Sequence, residues 1–335
     1  MKIAIDAMGG DNAPKALVEG CINAANEYEI EIYLVGMKNE IEKLIDGVRP
    51  QKGTIHIVHA GEVITNEDAP VQGIKQKKDS SMVVGLKMVK DEQCDAFLSA
   101  GNTGAFLAGS LLKVGRIKGI DRPALAPLLP TAKGGCMLID AGANMDCKPK
   151  NLLQFAIMGS IYMEKVAGIL SPRVGLLSVG TEETKGNELT KQSYDLLKNS
   201  KLNFIGNIEA RDISDGICDV CVCDGFVGNV VLKNTEGLAS TIMGLLKEEL
   251  MKTTVSKFGA LLLKNSFKNF KKRFDYKEYG GAPFLGINGI MIKAHGSSDG
   301  RAIMNAIRQA KLLYDNNCIN RIVMDLKNTG VNDIE

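Results

Sequence analysis

The strongest constraint on the fold of this chain is an alternation. Short apolar runs with the length and composition of buried strands fall at Lys2–Asp6, Glu31–Val35, Thr54–His59, Ala96–Ser99, Cys136–Asp140, Val174–Val179, Asn203–Ile205, Asp219–Cys223 and Ile290–Ala294. Helical patterns separate several of them: Ala13–Asn26, Ser80–Lys90, Thr103–Val114, Leu152–Val166, Glu188–Leu197, Gly228–Glu249 and Asp299–Asp315. A strand followed by a helix and then another strand implies an α/β fold with a mainly parallel sheet covered by helices. A length of 335 residues fits about two domains or one large unit. With no repeat and no Pro- or Ser-rich linker, residues 1–335 read as a single α/β unit.

In open parallel sheets, ligands bind beyond the carboxyl ends of strands, close to helix N-termini. The polar, Gly-rich clusters of this chain lie there: Asp6–Asn12, Ser99–Gly104, Asp140–Asn144, Gly180–Asn187, Cys223–Asn229 and His295–Ser298. Small residues let backbone N–H groups approach a ligand closely. One such loop is an ordinary turn; six at equivalent sheet ends predict a shared site for an anion or a thioester.

Several function classes are disfavoured. There is no G-x-G-x-x-G and no G-x-x-x-x-G-K-[ST], which argues against dinucleotide or nucleoside triphosphate binding. There is no G-x-S-x-G elbow and no H-E-x-x-H, and no cysteine stands beside a histidine, so the chemistry is expected to need no covalent nucleophile. Cys218, Cys221 and Cys223 form the densest cysteine group, but a fourth metal ligand is missing at suitable spacing, so no metal is expected. Trp is absent and aromatics are 5%, which disfavours a base-stacking surface and hence nucleic acid. No apolar run is long enough to span a bilayer, and Asp6, Asp11 and Asn12 interrupt any signal peptide, so a cytoplasmic protein is expected.

The loops also carry a resemblance. Ile5–Asp11, Lys77–Met82, Ser99–Ala105, Gly119–Ala126, Asp140–Asn144, Gly180–Asn187, Asn207–Asp212, Asp224–Asn229 and Lys293–Ser298 resemble, in order and over nearly the whole chain, the bacterial phosphate acyltransferase family. Departures are minor: Ser178 stands where the family often has Asn, and Cys136 and Cys147 are idiosyncratic. The resemblance implies transfer of a fatty acyl group from acyl carrier protein (ACP) to inorganic phosphate, giving an acyl phosphate. That product feeds a membrane glycerol-3-phosphate acyltransferase in phospholipid synthesis. It further implies a homodimer with a three-layer α/β/α fold, similar to phosphotransacetylases and isocitrate or isopropylmalate dehydrogenases, and neither metal nor organic cofactor. The alternatives are a short-chain acyl-CoA phosphotransacetylase and a non-catalytic membrane or ACP adaptor.

Phosphate is already largely a dianion at neutral pH, so a site need only gather it, aim it at the thioester carbonyl and stabilise the oxyanion. Lys185, before a helix starting near Asn187, is the first candidate for phosphate or oxyanion contact; the alternative is a solvated lysine paired with Glu182 or Glu183. Asn229 holds the thioester oxygen or phosphate, or else caps its helix. His295 orients phosphate or protonates the leaving thiolate, or is structural. Gly9, Gly10, Asn102, Thr103, Asn144, Asn187, Gly228, Ser297 and Ser298 complete the candidate substrate site. Asp6 and Asp11, awkward beside phosphate, are expected to fix loop backbones or Lys and Arg partners, and Asp140 to organise its own loop. Lys77 and Lys78, with Ser80 and Ser81, are candidates for docking acidic ACP.

The net charge of +2 conceals one further feature. Residues 251–274 hold seven basic residues and no acid, leaving 34 basic against 39 acidic residues elsewhere. At 100° per residue, Val255, Phe258, Leu262, Leu263, Phe267, Phe270 and Phe274 fall within about 180° of arc. Lys257, Lys264, Lys268, Lys271 and Lys272 fall opposite; Leu261 and Arg273 depart from the pattern, and Gly259 is a candidate break. A basic face opposite a Leu/Phe face is the pattern of an interfacial helix, though composition alone favours a core-facing or dimer-contact helix with a solvated Lys face. The resemblance, to a family that associates peripherally with membranes, implies that this segment protrudes and docks on an anionic membrane, the inner face of the plasma membrane, or on ACP.

Overall fold

The computed structural model describes residues 1–267, 270 and 280–328, the side chains of 327 and 328 excepted. The strands are β1 (Lys2–Asp6), β2 (Glu31–Gly36), β3 (Thr54–His59), β4 (Ala96–Ser99), β5 (Ala124–Leu125), β6 (Leu128–Thr131), β7 (Gly134–Ile139), β8 (Arg173–Leu177), β9 (Asn203–Ile208), β10 (Val220–Val222), β11 (Gly281–Leu285) and β12 (Ile290–Ala294). The α/β alternation appears as expected, but the parallel strands are divided between two sheets. One has the order β3-β2-β1-β4-β12-β11-β5, the other β6-β7-β10-β8-β9. Within the first, β3, β2, β1, β4 and β12 run parallel, with Ile5 opposite both Leu34 and Leu98, and Leu98 opposite Ile292. Within the second, β7, β10, β8 and β9 run parallel.

The strands the sequence pattern missed are the antiparallel ones. β5 has two residues, and Pro130 and Pro283 interrupt β6 and β11. Proline removes a ladder donor, so such runs score as turns. Here β6 is an edge strand, and β11 exchanges its partner from β12 to β5 just after Pro283. Short helices at Lys38–Ile45, Pro70–Gln76 and Ala210–Ser214, and a longer one at Cys318–Asn328, also went unread. The helix expected from Gly228 begins earlier, at Gly225, with the Asp224 side chain accepting from the Val227 N–H at 3.0 Å.

One buried apolar cluster runs through both sheets, from Ile5, Leu34, Leu98 and Ile292 to Met137, Ile139, Leu176 and Val222. The Pro149–Lys165 helix ties them together and is buried on most sides, with Phe155, Met158 and Tyr162 fully enclosed. Each such side chain stabilises the fold by about 1.5–3 kcal/mol relative to leaving it exposed. Its Tyr162 hydroxyl lies 2.6 Å from Gln309 Oε1 on the Gly300–Asp315 helix, fastening the two halves with a buried polar contact. Among the described residues, no helix is long and apolar enough to cross a membrane.

Candidate active site

The Gly-rich loops collect into two groups at the carboxyl ends of the two sheets. In the first, the Asp11 N–H donates to Gly296 O at 2.8 Å and the Asn12 amide donates to the Ser298 and Ser297 carbonyls, joining the loops after β1 and β12. Asp6, at the end of β1, accepts from the hydroxyls of Ser81 at 2.6 Å and Ser99 at 2.7 Å. Burial raises its carboxyl above the ordinary range, opposed by those hydrogen bonds. Asp6 therefore fastens its own loop through the Met8 N–H at 3.3 Å and, beyond the expected backbone, Lys or Arg partners, holds two serine hydroxyls. In the second group, the Asp140 carboxylate accepts from the N–H groups of Leu125, Ala143 and Asn144 and from the Asn144 amide. The Gly225 N–H donates to Asn144 O at 2.7 Å, which joins the loops after β7 and β10.

That junction leaves no room for a side chain at Gly228. A β-carbon there would lie 1.9 Å from Asp140 O, a backbone atom that cannot swing aside. Gly228→Ala is expected to cost about 3 kcal/mol, by overpacking against rigid backbone. The check is the denaturant midpoint, and wild-type stability would mean that the helix can shift away.

Between the two groups opens a cavity of about 800 Å3. Its polar lining includes Thr103, Arg211, Asn229, Lys233, Glu236, Lys293 and His295, of which Lys233, Lys293 and His295 are close enough to feel one another's charge. Its apolar lining includes Leu128, Pro130, Met145, Leu232, Leu238 and Ile242. A volume of this size, mostly apolar with a few polar groups, suits an amphiphilic ligand.

Of the residues singled out from sequence, Thr103, Asn229 and His295 line this cavity. Asn229 lies one turn inside its helix, so it is not the cap; a β-carbon built on Gly142 would sit 3.4 Å from its Oδ1. The other asparagines are occupied with local structure. Asn102 accepts from the Ala105 N–H at 2.9 Å and donates to Thr65 O. Asn144 donates to Pro123 O and to Asp140, and Asn187 caps its helix through the Thr190 N–H at 2.9 Å. Gly9 and Gly10 pack against the β4 and β12 loops outside the lining, Gly10 with φ +100°. Ser297 is bonded to His295; Ser298 is buried, its hydroxyl without a partner among the described residues. Lys185 is exposed in the loop after β8, on the same sheet edge but not in the lining, and its N–H donates to Glu182 O at 3.0 Å. Of the two proposed acidic partners, Glu183 is engaged by Lys198 at 3.0 Å.

Lys293 is the residue the sequence reading missed. It lies on β12 two positions before His295, and its ammonium donates to the carbonyls of Ala100 and Ala294. Burial, reinforced by the nearby charge of Lys233, lowers its pKa to about 8, against an opposing pull from Asp6 and Asp11. His295 is shifted the same way: burial first, then Lys233, lowers it from its ordinary value. The Ser297 N–H donates to His295 Nδ1 at 3.2 Å, and the Ser297 hydroxyl lies 2.8 Å from the same atom. A ring whose Nδ1 accepts carries its proton on Nε2, so His295 is a neutral donor at that nitrogen.

The docking candidates divide. Lys77 is taken up internally, 2.6 Å from Asp68 Oδ2 and 2.9 Å from Val63 O, which removes it as a free docking cation; Lys78 is exposed. In the basic stretch a helix runs over Thr254–Leu262, with no buried residue and a Thr253–Ser256 capping box. The break falls at Leu263, not at Gly259. Val255 is 81% exposed, Leu262 71% and Phe258 65%, so the apolar side is turned outward rather than into a core. Lys257 and Lys264 are also exposed, Phe267 is half-buried, and Lys268 and residues 271–274 lie outside the described residues.

Comparison with known proteins agrees with this architecture. A family model described as "Fatty acid synthesis protein" matches residues 1–321. A protein of Alkaliphilus oremlandii named phosphate acyltransferase is 57% identical over 335 residues, covering 100% of both chains. The solved structure of a phosphotransacetylase from Streptococcus pyogenes is similar with a TM-score of 0.62 at 17% identity, covering 96% of this chain and 94% of that one. A 4-hydroxythreonine-4-phosphate dehydrogenase from Klebsiella pneumoniae shares the fold at a TM-score of 0.51 and 12% identity, over 93% of this chain and 98% of that one.

Proposed function

The chain belongs to the family of fatty acid synthesis proteins whose members are named phosphate acyltransferases, and on that premise we propose that it transfers a fatty acyl group from acyl-ACP to inorganic phosphate. The observation that carries this reading is the mixed lining of the cavity, which joins the cation of Lys293 to apolar residues such as Leu232 and Ile242. An acyl chain lies against the apolar lining, and phosphate sits against Lys293. A phosphate oxygen attacks the thioester carbon, a C–O bond forms, and the C–S bond breaks to release the phosphopantetheine thiolate of ACP. Thiolates leave readily, so the main task is to hold the dianion and the oxyanion. Lys293 supplies the charge, and the Asn229 amide and His295 Nε2–H supply donors. Bound phosphate in turn raises the Lys293 pKa, since an opposite charge favours the protonated form.

The outward apolar side of Thr254–Leu262 supports attachment to the inner face of the plasma membrane, where acyl phosphate is handed to a glycerol-3-phosphate acyltransferase for phosphatidic acid synthesis. The Gly225–Leu250 helix leads to that segment. It buries only Gly225 and Gly228 and exposes Phe226, Leu238 and Leu245, which supports a homodimer packed along it. A largely apolar cavity of about 800 Å3 and an exposed apolar helix favour long-chain acyl-ACP over a short acyl-CoA.

The test incubates the purified chain with palmitoyl-ACP and phosphate and follows acyl phosphate and free ACP, with palmitoyl-CoA and acetyl-CoA in parallel. Release of ACP without phosphate dependence would defeat the proposal. In the same assay Lys185→Ala is expected to keep turnover within about threefold of wild type, because only transition-state contacts alter the rate. A hundredfold loss would bring the loop after β8 into the chemistry.

A further inference from the structure

The cysteines play no part in the proposed transfer, yet two of them are paired in space. Cys136, in β7, and Cys218, just before β10, are both buried, and their sulfurs lie 3.5 Å apart. β7 and β10 are neighbouring parallel strands, with Met137 opposite Val220, so Cys218 lies just before β10, diagonal to Cys136 and two residues before the Met137 partner. A disulfide needs S–S of about 2.05 Å, so the two sulfurs must close by a little over 1 Å from 3.5 Å. Cys218, though buried, also lines a second cavity of about 250 Å3, shared with Lys133, Arg173 and Asp219. Among the described residues no group of three His, Cys, Asp or Glu side chains is arranged to hold a metal, so a metal site does not explain the pair.

We propose that Cys136 and Cys218 form a peroxide-oxidisable dithiol, a covalent modification site separate from the transfer site. Thiol donation from Cys136 and Cys221 lowers the Cys218 pKa and so favours its thiolate, whereas the Cys136 thiol is raised. The Cys218 thiolate attacks hydrogen peroxide; the O–O bond breaks, hydroxide leaves and takes up the thiol proton as water, and Cys218 becomes a sulfenic acid. The Cys136 sulfur, losing its proton, then attacks Cys218 Sγ and displaces a second water. Two thiols and one peroxide thus yield one disulfide and two waters, and a dithiol reductant reverses the step. The link ties β7 to the loop that follows the Ala210–Ser214 helix, whose Ala210, Arg211 and Ser214 line the large cavity.

The test treats the full-length chain with hydrogen peroxide, denatures it, alkylates the remaining thiols and maps the digest by mass. The expected result is six alkylated cysteines of the eight, with the Cys136 and Cys218 peptides joined. In Cys136→Ser, Cys218 is expected to accumulate as a sulfenic acid trapped by dimedone. Should that variant fail to fold, the wild-type map alone decides. Eight alkylated thiols, oxidation at half-buried Cys147 in preference, or Cys218 sulfinic acid without a cross-link would each overturn the proposal.

Discussion

Lys293→Met is expected to lower kcat/KM for phosphate by about 10²–10³-fold, the usual loss when one charge-stabilising donor is removed from an enclosed site. KM for the acyl donor should move little, because the apolar lining of the cavity is untouched. Steady-state kinetics with each substrate varied in turn makes the check. The pH dependence follows from the same residue. With its pKa lowered to about 8, Lys293 loses its proton as pH rises through about 8, and the wild-type rate for phosphate should fall there. Stability should move the other way. The unfolded chain keeps that proton up to the ordinary value of 10.5, so above about pH 8 the unfolded state binds more protons and stability from this group rises with pH. Activity falling while stability rises separates titration of the site from alkaline unfolding. A Lys293→Met variant that keeps the wild-type alkaline fall would remove Lys293 from the mechanism.

The second large effect belongs to the Thr254–Leu262 helix. Phe258→Glu combined with Leu262→Glu is expected to abolish flotation with vesicles containing anionic lipid. Each apolar side chain contributes about 1.5–3 kcal/mol when withdrawn from water, so the pair removes more than a hundredfold in partitioning. Lys257→Gln and Lys264→Gln should each weaken binding by about 1 kcal/mol, with a loss that fades as salt rises. Folding should be unaffected, since no residue of this helix is buried. Unchanged flotation with a raised KM for acyl-ACP would make the segment a carrier-protein dock instead of a membrane anchor.

How much was legible follows from which contacts are local. Parallel strands buried on both faces read as continuous apolar runs, and β1, β4 and β12 appear at the expected residues, as does the half-exposed edge strand β3. The antiparallel pieces are short and carry Pro130 or Pro283, so their pairing rests on distant partners that no window contains. At the site, Thr103, Asn229 and His295 stood out because they follow strand ends in Gly-rich loops. Lys293 did not, because it sits inside an apolar strand. The available signal was its place: Lys293 is the one charged residue of the Ile290–Ala294 strand and opens the Lys293–Ser298 loop two positions before His295. Asn102, Asn144 and Asn187 look like Asn229 in sequence, but a cap and a ligand contact ask for the same amide. Only the hydrogen-bond partners tell them apart.

The sequence by itself determined the α/β alternation, the loops at the sheet ends and an unbalanced basic helix with an apolar side, because each depends on neighbours a few residues apart. The tertiary structure decided the division into two sheets and the choice among the loops. Four of the six line the cavity, through Thr103, Gly142, Asn229 and His295. The loops holding Gly10 and Lys185 do not line it. It also decided that the basic segment turns its phenylalanine and leucines outward, and that Cys136 meets Cys218 across 82 residues of chain. Both depend on where whole elements pack, which is set by burial of distant side chains against one another rather than by local pattern.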